Sequence, residues 1–249
     1  MVWSSQSAAN AYLDTLKLCK NELERRQSDP SIIPVQPEKS EFISALAAGT
    51  SAQLIVEVSP EASHSTIALA AAARQTGGRL ICILPQEESL APSKEVLEES
   101  GLDDMVEFQV GDPTKLLPKY ENIDFSLVDC NNESYEDVLK MIDVNPKKSV
   151  VVANNLKEGR EGLSMDVPGA KDGTVRSEKH MIGNGMEVTM IGKNAGMGWL
   201  KKGKEGGNIV GPNNVGPEKR RRPRRKIRWV KKIDEQSGEE HLYRMAKSI

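Results

Sequence analysis

Disulfide frameworks, metal clusters and membrane spans leave marks that this sequence lacks. Its 249 residues hold three cysteines, Cys19, Cys82 and Cys130, odd in number and far apart, with no C-x-x-C pair. Neither a disulfide scaffold nor a zinc site is expected, and a reduced intracellular setting, nuclear or cytoplasmic, suits the chain. No apolar run approaches the roughly 20 residues that cross a bilayer. Met1-Val2-Trp3-Ser4-Ser5 has neither the basic start nor the apolar block of a secretion signal, so none is expected. The glycosylation triplet Asn132-Glu133-Ser134 then has no route by which to be used. Aromatic residues make up only 4% of the chain, so a core drawn from its 38% apolar residues must be aliphatic. There is no H-E-x-x-H, no Walker loop and no Ser-His-Asp order, which removes the common zinc hydrolase, P-loop and triad chemistries.

What is present is a change of period along the chain. Residues 7–26 and 38–48 show helical spacing, the first with Ala8, Ala11, Tyr12, Leu16 and Cys19 on one stripe, the second stopped by Gly49. From Leu54 onward short β-rich runs appear at 54–58, 80–84, 106–110, 124–128 and 149–153. Helical segments at 65–76, 93–100 and 135–142 lie between them, with a further turn near Pro113. Strand-helix alternation of this kind builds an α/β, Rossmann-like, doubly wound sheet, mostly parallel. Runs at 175–182 and 186–192 flank Gly183-Asn184-Gly185 and predict an antiparallel hairpin closing the sheet. The expected organisation is N-terminal helices in 1–50, the sheet domain in 51–193, a flexible basic linker in 194–225 and a C-terminal hairpin in 226–249.

Ligands of such sheets lie beyond the carboxyl ends of the strands, so the loops there carry the functional reading. The first strand ends at Glu57, and a helix then opens with Ser65 and Thr66. Where a nucleotide-binding fold keeps a glycine-rich turn, this chain has Ser59-Pro60-Glu61-Ala62-Ser63. Glycine lets a ligand approach the backbone closely; Ser59 and Ser63 occupy that space and Pro60 removes an N–H donor. Ser63 also reads as an ordinary helix N-cap. After the second strand Glu87 and Glu88 are available to a ribose diol or, equally, to a helix start. After the third comes Gly111-Asp112, with Asp112 open to a ligand or, equally, suited to cap the next helix. Asp129 ends the fourth strand. His64 and His180 are lone histidines, expected to be ordinary surface or core residues.

Taken together, "LIVEVSPEASHSTIALA", "DMVEFQVGDPTKLLP", "IDFSLVDCNNESY" and "VVVANNL" resemble class I methyltransferases that use S-adenosylmethionine, and within them the metal-dependent catechol and caffeoyl-coenzyme A O-methyltransferases. "SAANAYLDTL", "LICILPQ" and "RWVKKIDEQSGEEHLYR" resemble a plant family of unknown function assigned to the same fold. The resemblance implies cofactor-binding roles for Glu57, Ser59, Ser63, Ser65, Glu87, Asp112 and Asp129. It also marks departures. The general-base lysine of the metal-dependent branch falls on Asn132, whose amide takes up no proton at neutral pH. The metal-ligand positions fall on Asp129, Asn154 and Asn155, one carboxylate where a hard cation calls for two. The expectation is a methyltransferase-like binding or regulatory module with little or no O-methyl transfer, weak S-adenosylmethionine binding or another nucleotide-like small molecule, no metal and no identified catalytic residue. The alternative is an active metal-independent methyltransferase of unknown substrate.

The net charge of −2 conceals an asymmetry. Residues 201–232 carry 13 Lys and Arg against Glu205 and Glu218, a balance of +11 that leaves −13 on the rest. The density peaks at Lys219, Arg220, Arg221, Arg222, Arg224, Arg225 and Lys226, which reads as a nuclear-import signal for an importin or as a phosphate-binding arm for nucleic acid without base readout. On the second reading, deleting 219–232 removes a salt-sensitive retardation of DNA or RNA in gel mobility; an intact chain that shifts neither at low salt excludes it.

Overall fold

Two N-terminal helices, α1 (Ser5–Arg26) and α2 (Pro37–Gly49), precede a seven-stranded sheet. Its strands are β1 (Leu54–Val58), β2 (Arg79–Leu84), β3 (Val106–Val110), β4 (Phe125–Asp129), β5 (Lys148–Asn154), β6 (Thr174–His180) and β7 (Met186–Gly192), with α3 (His64–Thr76), α4 (Leu90–Ser100), α5 (Pro113–Leu116) and α6 (Tyr135–Lys140) between them. The computed structural model describes residues 3–26, 37–131, 134–156, 160, 162–163, 174–192, 227–233 and 240–246. The strand order is β3-β2-β1-β4-β5-β7-β6. β1 to β5 run parallel, and β7 runs antiparallel to both β5 and β6. This is the Rossmann-like, mostly parallel sheet with a closing antiparallel hairpin that the alternation of periods predicts. Order reverses at β1, which pairs with β2 on one side and β4 on the other, so the ligand crevice of such a sheet opens beyond β1 and β4.

Because successive strand residues face opposite ways, the sheet buries two cores. Ile55, Phe125, Leu127, Val150 and Val152 pack with Ile43, Leu46 and Ala47 of α2 and with Ala70 to Ala73 of α3. Val56, Val58, Val128, Val151 and Ala153 pack on the other face with Tyr135, Val138 and Leu139 of α6. The same alternation puts Glu57, Asp129 and Asn154 on the α2–α3 side, at the carboxyl ends of β1, β4 and β5. The alanine run in α3 is wholly buried, and the small side chains allow the helix to lie close to the sheet. Gly77 ends that helix in the left-handed conformation at φ 69°, its N–H donated to the Ala73 carbonyl.

Two expectations shift. Along α1 the buried stripe is Ala8, Ala11, Thr15 and Cys19, whereas Tyr12 and Leu16 are 43% and 40% exposed. The helix turns its smallest residues inward because α2 and α3 lie close against it; apolar periodicity alone selected the larger ones. β6 ends at His180, two residues short of the run read from sequence, and residues 181–185 form the turn. There the Gly185 N–H bonds the Ile182 carbonyl at 3.2 Å, and the Gly185 carbonyl accepts from Leu156 N–H at 3.0 Å. A Cβ on Gly185, at φ 95°, would strike the Leu156 carbonyl, which makes glycine necessary.

The chain divides into two units, Met1–Lys202 and Gly203–Ile249. In the second, β8 (Ile227–Ile233) and β9 (Glu240–Ala246) form an antiparallel pair from Ile227↔Ala246 to Ile233↔Glu240. The connector at 27–36, the linker at 194–225 and the side chain of Trp229 lie outside the described residues. No helix among the described residues is long and apolar enough to cross a membrane. Replacing Ala71 with Leu, which overfills the α3–sheet contact, is expected to destabilise the protein by about 1–3 kcal/mol. Thermal or urea denaturation reads the effect, and an unchanged melting point would show that α3 does not depend on close approach.

Candidate functional site

Much of the turn after β1 is hydrogen-bonded within the protein. Ser63 is the N-cap of α3; its hydroxyl accepts from Ser65 N–H, and Thr66 closes a capping box, its hydroxyl accepting from Ser63 N–H at 3.0 Å. Ser59 N–H bonds the Ile83 carbonyl at 3.3 Å, and the Ser59 hydroxyl donates to the Glu61 carbonyl at 3.0 Å. Ala62 N–H is accepted by the hydroxyl of Ser93, a buried residue of α4, at 2.9 Å. This last bond ties the loop after β1 to the helix that follows β2. Four turn amides are thus engaged, and Pro60 has none.

Glu57 lies behind that turn, fully buried, accepting from the Ser65 hydroxyl at 2.7 Å on Oε1 while Oε2 has no partner at hydrogen-bonding distance. Burial pushes its carboxyl up to about 7; the hydroxyls of Ser65 and Thr66 oppose that shift and the negative charge of Asp129 adds to it. Its register partner Cys82 is likewise buried, and desolvation pushes that thiol well above its ordinary range. The Cys130 thiol is pushed up to about 12, chiefly by burial, so neither cysteine is a nucleophile at neutral pH.

Loops two and three stand apart from this. Glu87 opens an exposed single turn, 87–89. Asp112 caps α5: its carboxylate accepts from Thr114 N–H at 3.0 Å and the Thr114 hydroxyl at 2.7 Å, with Lys115 at 3.4 Å. The Thr114 bonds hold its pKa below the ordinary value. Its plain capping role is what the geometry provides.

A cavity of about 470 Å³ opens at the switch point, walled by Ser59, Ser63 and Ser65 from the first loop, Asp129 from β4, Asn155 from beyond β5 and Lys39 from α2. Gly183 and Asn184 of the β6–β7 turn close one side. The structure therefore brings Ser59, Ser63, Ser65 and Asp129 together around one space, with Glu57 behind Ser65. Glu87 and Asp112 are not among the residues lining it. Asp129 accepts from Asn131 N–H at 2.9 Å on Oδ1 and from the Asn155 amide at 3.1 Å on Oδ2. The Asn155 carbonyl oxygen in turn accepts from Lys39 Nζ at 2.9 Å. Asn155 holds this bridging pose at φ 55°, a left-handed conformation that asparagine tolerates better than most residues.

Lys39 is absent from the residues the sequence singled out. It lies outside every strand-end loop, and only the packing of α2 brings it over the sheet end. Burial lowers its pKa from the ordinary value, and the Asp129 charge opposes that shift. A divalent metal does not fit here. Asp129 is the single carboxylate among the three ligand-like positions, both its oxygens already accept N–H donors, and an ammonium holds the Asn155 oxygen. Among the described residues no group of three His, Cys, Asp or Glu is placed to hold a metal. Asn132 lies outside the described residues, as does the basic run Lys219, Arg220, Arg221, Arg222, Arg224, Arg225 and Lys226. Beyond Asn132, Tyr135 is buried beneath the Arg160 guanidinium, 5.3 Å from its ring centre, and Arg160 donates to the Cys130 carbonyl at 2.8 Å. His64 lines the cavity; His180 packs its ring against Phe42, centres 5.7 Å apart.

A family model described as a protein of unknown function, DUF1442, matches residues 1–245. The chain belongs to the DUF1442 family. No curated protein matches its sequence. Among solved structures, this DUF1442 chain is similar to the O-methyltransferase TomG of Streptomyces achromogenes, solved in complex with SAM: TM-score 0.50, 21% identity, over 77% of this chain and 92% of that one. It is also similar to the SAH-bound methyltransferase PaMTH1 of Podospora anserina, with TM-score 0.50 and 15% identity over 76% and 88% of the two chains. At such identities the likeness is one of fold, a methyltransferase-like fold.

The raised Glu57 carboxyl sets the sign of a pH effect. Its unfolded-state value is near 4.5 and its folded value about 7, so the folded DUF1442 protein is favoured below pH 4.5 and loses that advantage as pH rises to 7. The loss is roughly 3 kcal/mol. Glu57→Gln should flatten urea-derived stability between pH 5 and 7 relative to the parent; an undiminished slope would place its source elsewhere.

Proposed function

We propose that this DUF1442 protein is a small-molecule-binding or regulatory module on a methyltransferase-like fold, with little or no methyl transfer to oxygen and at most weak binding of S-adenosylmethionine. The observation that carries the reading is the turn after β1, four of whose N–H groups are already bonded within the protein. TomG was solved with SAM and PaMTH1 with SAH, which supports a small-molecule site on this fold. A ligand carboxylate reaching the turn after β1 meets amides already bonded to Ile83, Ser93, Ser63 and Thr66, and displacing those acceptors would leave buried groups unpaired.

A second reading, a metal-independent methyltransferase acting by proximity, is favoured by one feature: the cavity beside Ser59 and Asp129 is open rather than filled. The basic run is proposed to engage nucleic acid or an importin independently of either, in the nucleus or the cytoplasm. Calorimetric titration with S-adenosylmethionine separates the two main readings. The module reading expects a Kd weaker than about 100 μM, roughly −5.5 kcal/mol. Tighter binding, together with methyl transfer to any acceptor in EDTA, would establish the second reading instead.

A further inference from the structure

Lys39 is a cation whose surroundings leave it incompletely paired. One of its three N–H bonds goes to Asn155 Oδ1 at 2.9 Å, and the other two meet no acceptor among the described residues. Asp129, the carboxylate on that side, does not take the ammonium directly: its two oxygens accept from Asn131 N–H and from the amide of Asn155, which stands between the two charges. The side chain is half-buried and lines the 470 Å³ cavity, a volume within the roughly 300–1,000 Å³ usual for small-molecule sites. A partly desolvated ammonium with two uncommitted donors at the wall of such a space is complementary to an anion.

We propose that this cavity binds a carboxylate-bearing small molecule, with the Lys39 ammonium as its fixed counter-charge and no metal ion. The proposal rests on the preceding reading only in taking the same cavity as the binding site. A carboxylate is favoured over a phosphate because phosphates seek backbone N–H groups at a helix N-terminus, and at α3 Ser63 and Thr66 have closed that terminus with a capping box. A single ammonium suits a single negative charge, and Leu127 and Pro60 supply apolar wall for the body of an organic acid. Asn155 keeps Lys39 in place through its bond to Asp129, so the cation is pre-positioned before the ligand arrives. The lowered pKa of Lys39 agrees with this, since an anion beside it would offset the cost of its burial.

The test titrates the full chain, in EDTA, with benzoate, phenylacetate and hexanoate, each paired with its neutral primary amide, and reads binding by ligand-observed NMR and melting temperature. An acid should bind about tenfold or more tightly than its amide, Lys39→Arg should retain that preference, Lys39→Met should lose it, and added magnesium should change nothing. The proposal is overturned by an amide that binds as well as its acid, by undiminished binding to a folded Lys39→Met, by a requirement for magnesium, by inorganic phosphate outcompeting every acid, or by no acid binding at ~10 mM. The acid-against-amide comparison needs no variant, so a Lys39→Met chain that fails to fold does not remove the test. S-adenosylmethionine is titrated separately: tight binding to both the parent and Lys39→Met defeats the module reading while leaving the acid-against-amide result to stand or fall by itself.

Discussion

The turn after β1 lies partly exposed at the end of a parallel sheet, and where its N–H groups turn away from water an unmet one costs about 1–3 kcal/mol. Such amides are matched by a ligand or by the protein. In this chain serine and threonine hydroxyls do the matching: Ser63 and Thr66 cap α3, Ser93 reaches across from α4, and Ser65 turns back to hold Glu57. Glycine in the same turn would leave amides open to a bound molecule. Here the N–H groups of Ser59, Ala62, Ser63 and Ser65 already have acceptors within the protein, and the character of the site derives largely from that pairing. It fixes the α3 N-terminus, buries Glu57 behind a hydroxyl, and moves the remaining open volume sideways, toward β4 and β5.

Charge at that volume is arranged in series. Asp129, the Asn155 amide and Lys39 form a chain in which the asparagine accepts from one side and donates to the other. An ion pair in direct contact would leave each group saturated by the other. With an amide interposed, the carboxylate is satisfied by N–H donors while the ammonium keeps donors for something else. The Asp129 charge across the gap still favours the charged form of Lys39, opposing the effect of its burial. The same arrangement occupies the oxygens a divalent cation would use, which would have to be freed from existing bonds.

Much of the fold was legible in the sequence because its determinants are local. The periods of 2 and 3.6, the stops at Gly49, Gly77 and Gly101, and the alanine run of α3 each act within a few residues, so strand and helix ranges read from the chain agree with the structure to within about three residues at their ends. The burial stripe of α1 was misread because it is decided by close approach to α2 and α3, and small residues win that contact over Tyr12 and Leu16. The extent of β6 was misread for a similar reason: the Gly185 carbonyl accepts from the Leu156 N–H, a partner nearly thirty residues away in sequence.

For the site, the sequence by itself determined the chemistry of the first loop, since Ser59 and Ser63 at the glycine positions and a Pro60 without an N–H settle locally what the backbone can offer. It also placed Glu57, Asp112 and Asp129 at strand ends. Which of those residues share a space was decided only by the tertiary structure. Strand order puts Asp129 next to the turn after β1, while Glu87 and Asp112 stay with the exposed loops after β2 and β3. Lys39 enters from a helix with no motif of its own, 90 residues before Asp129, because a charge acts through distance in space, and that distance is fixed by how α2 packs.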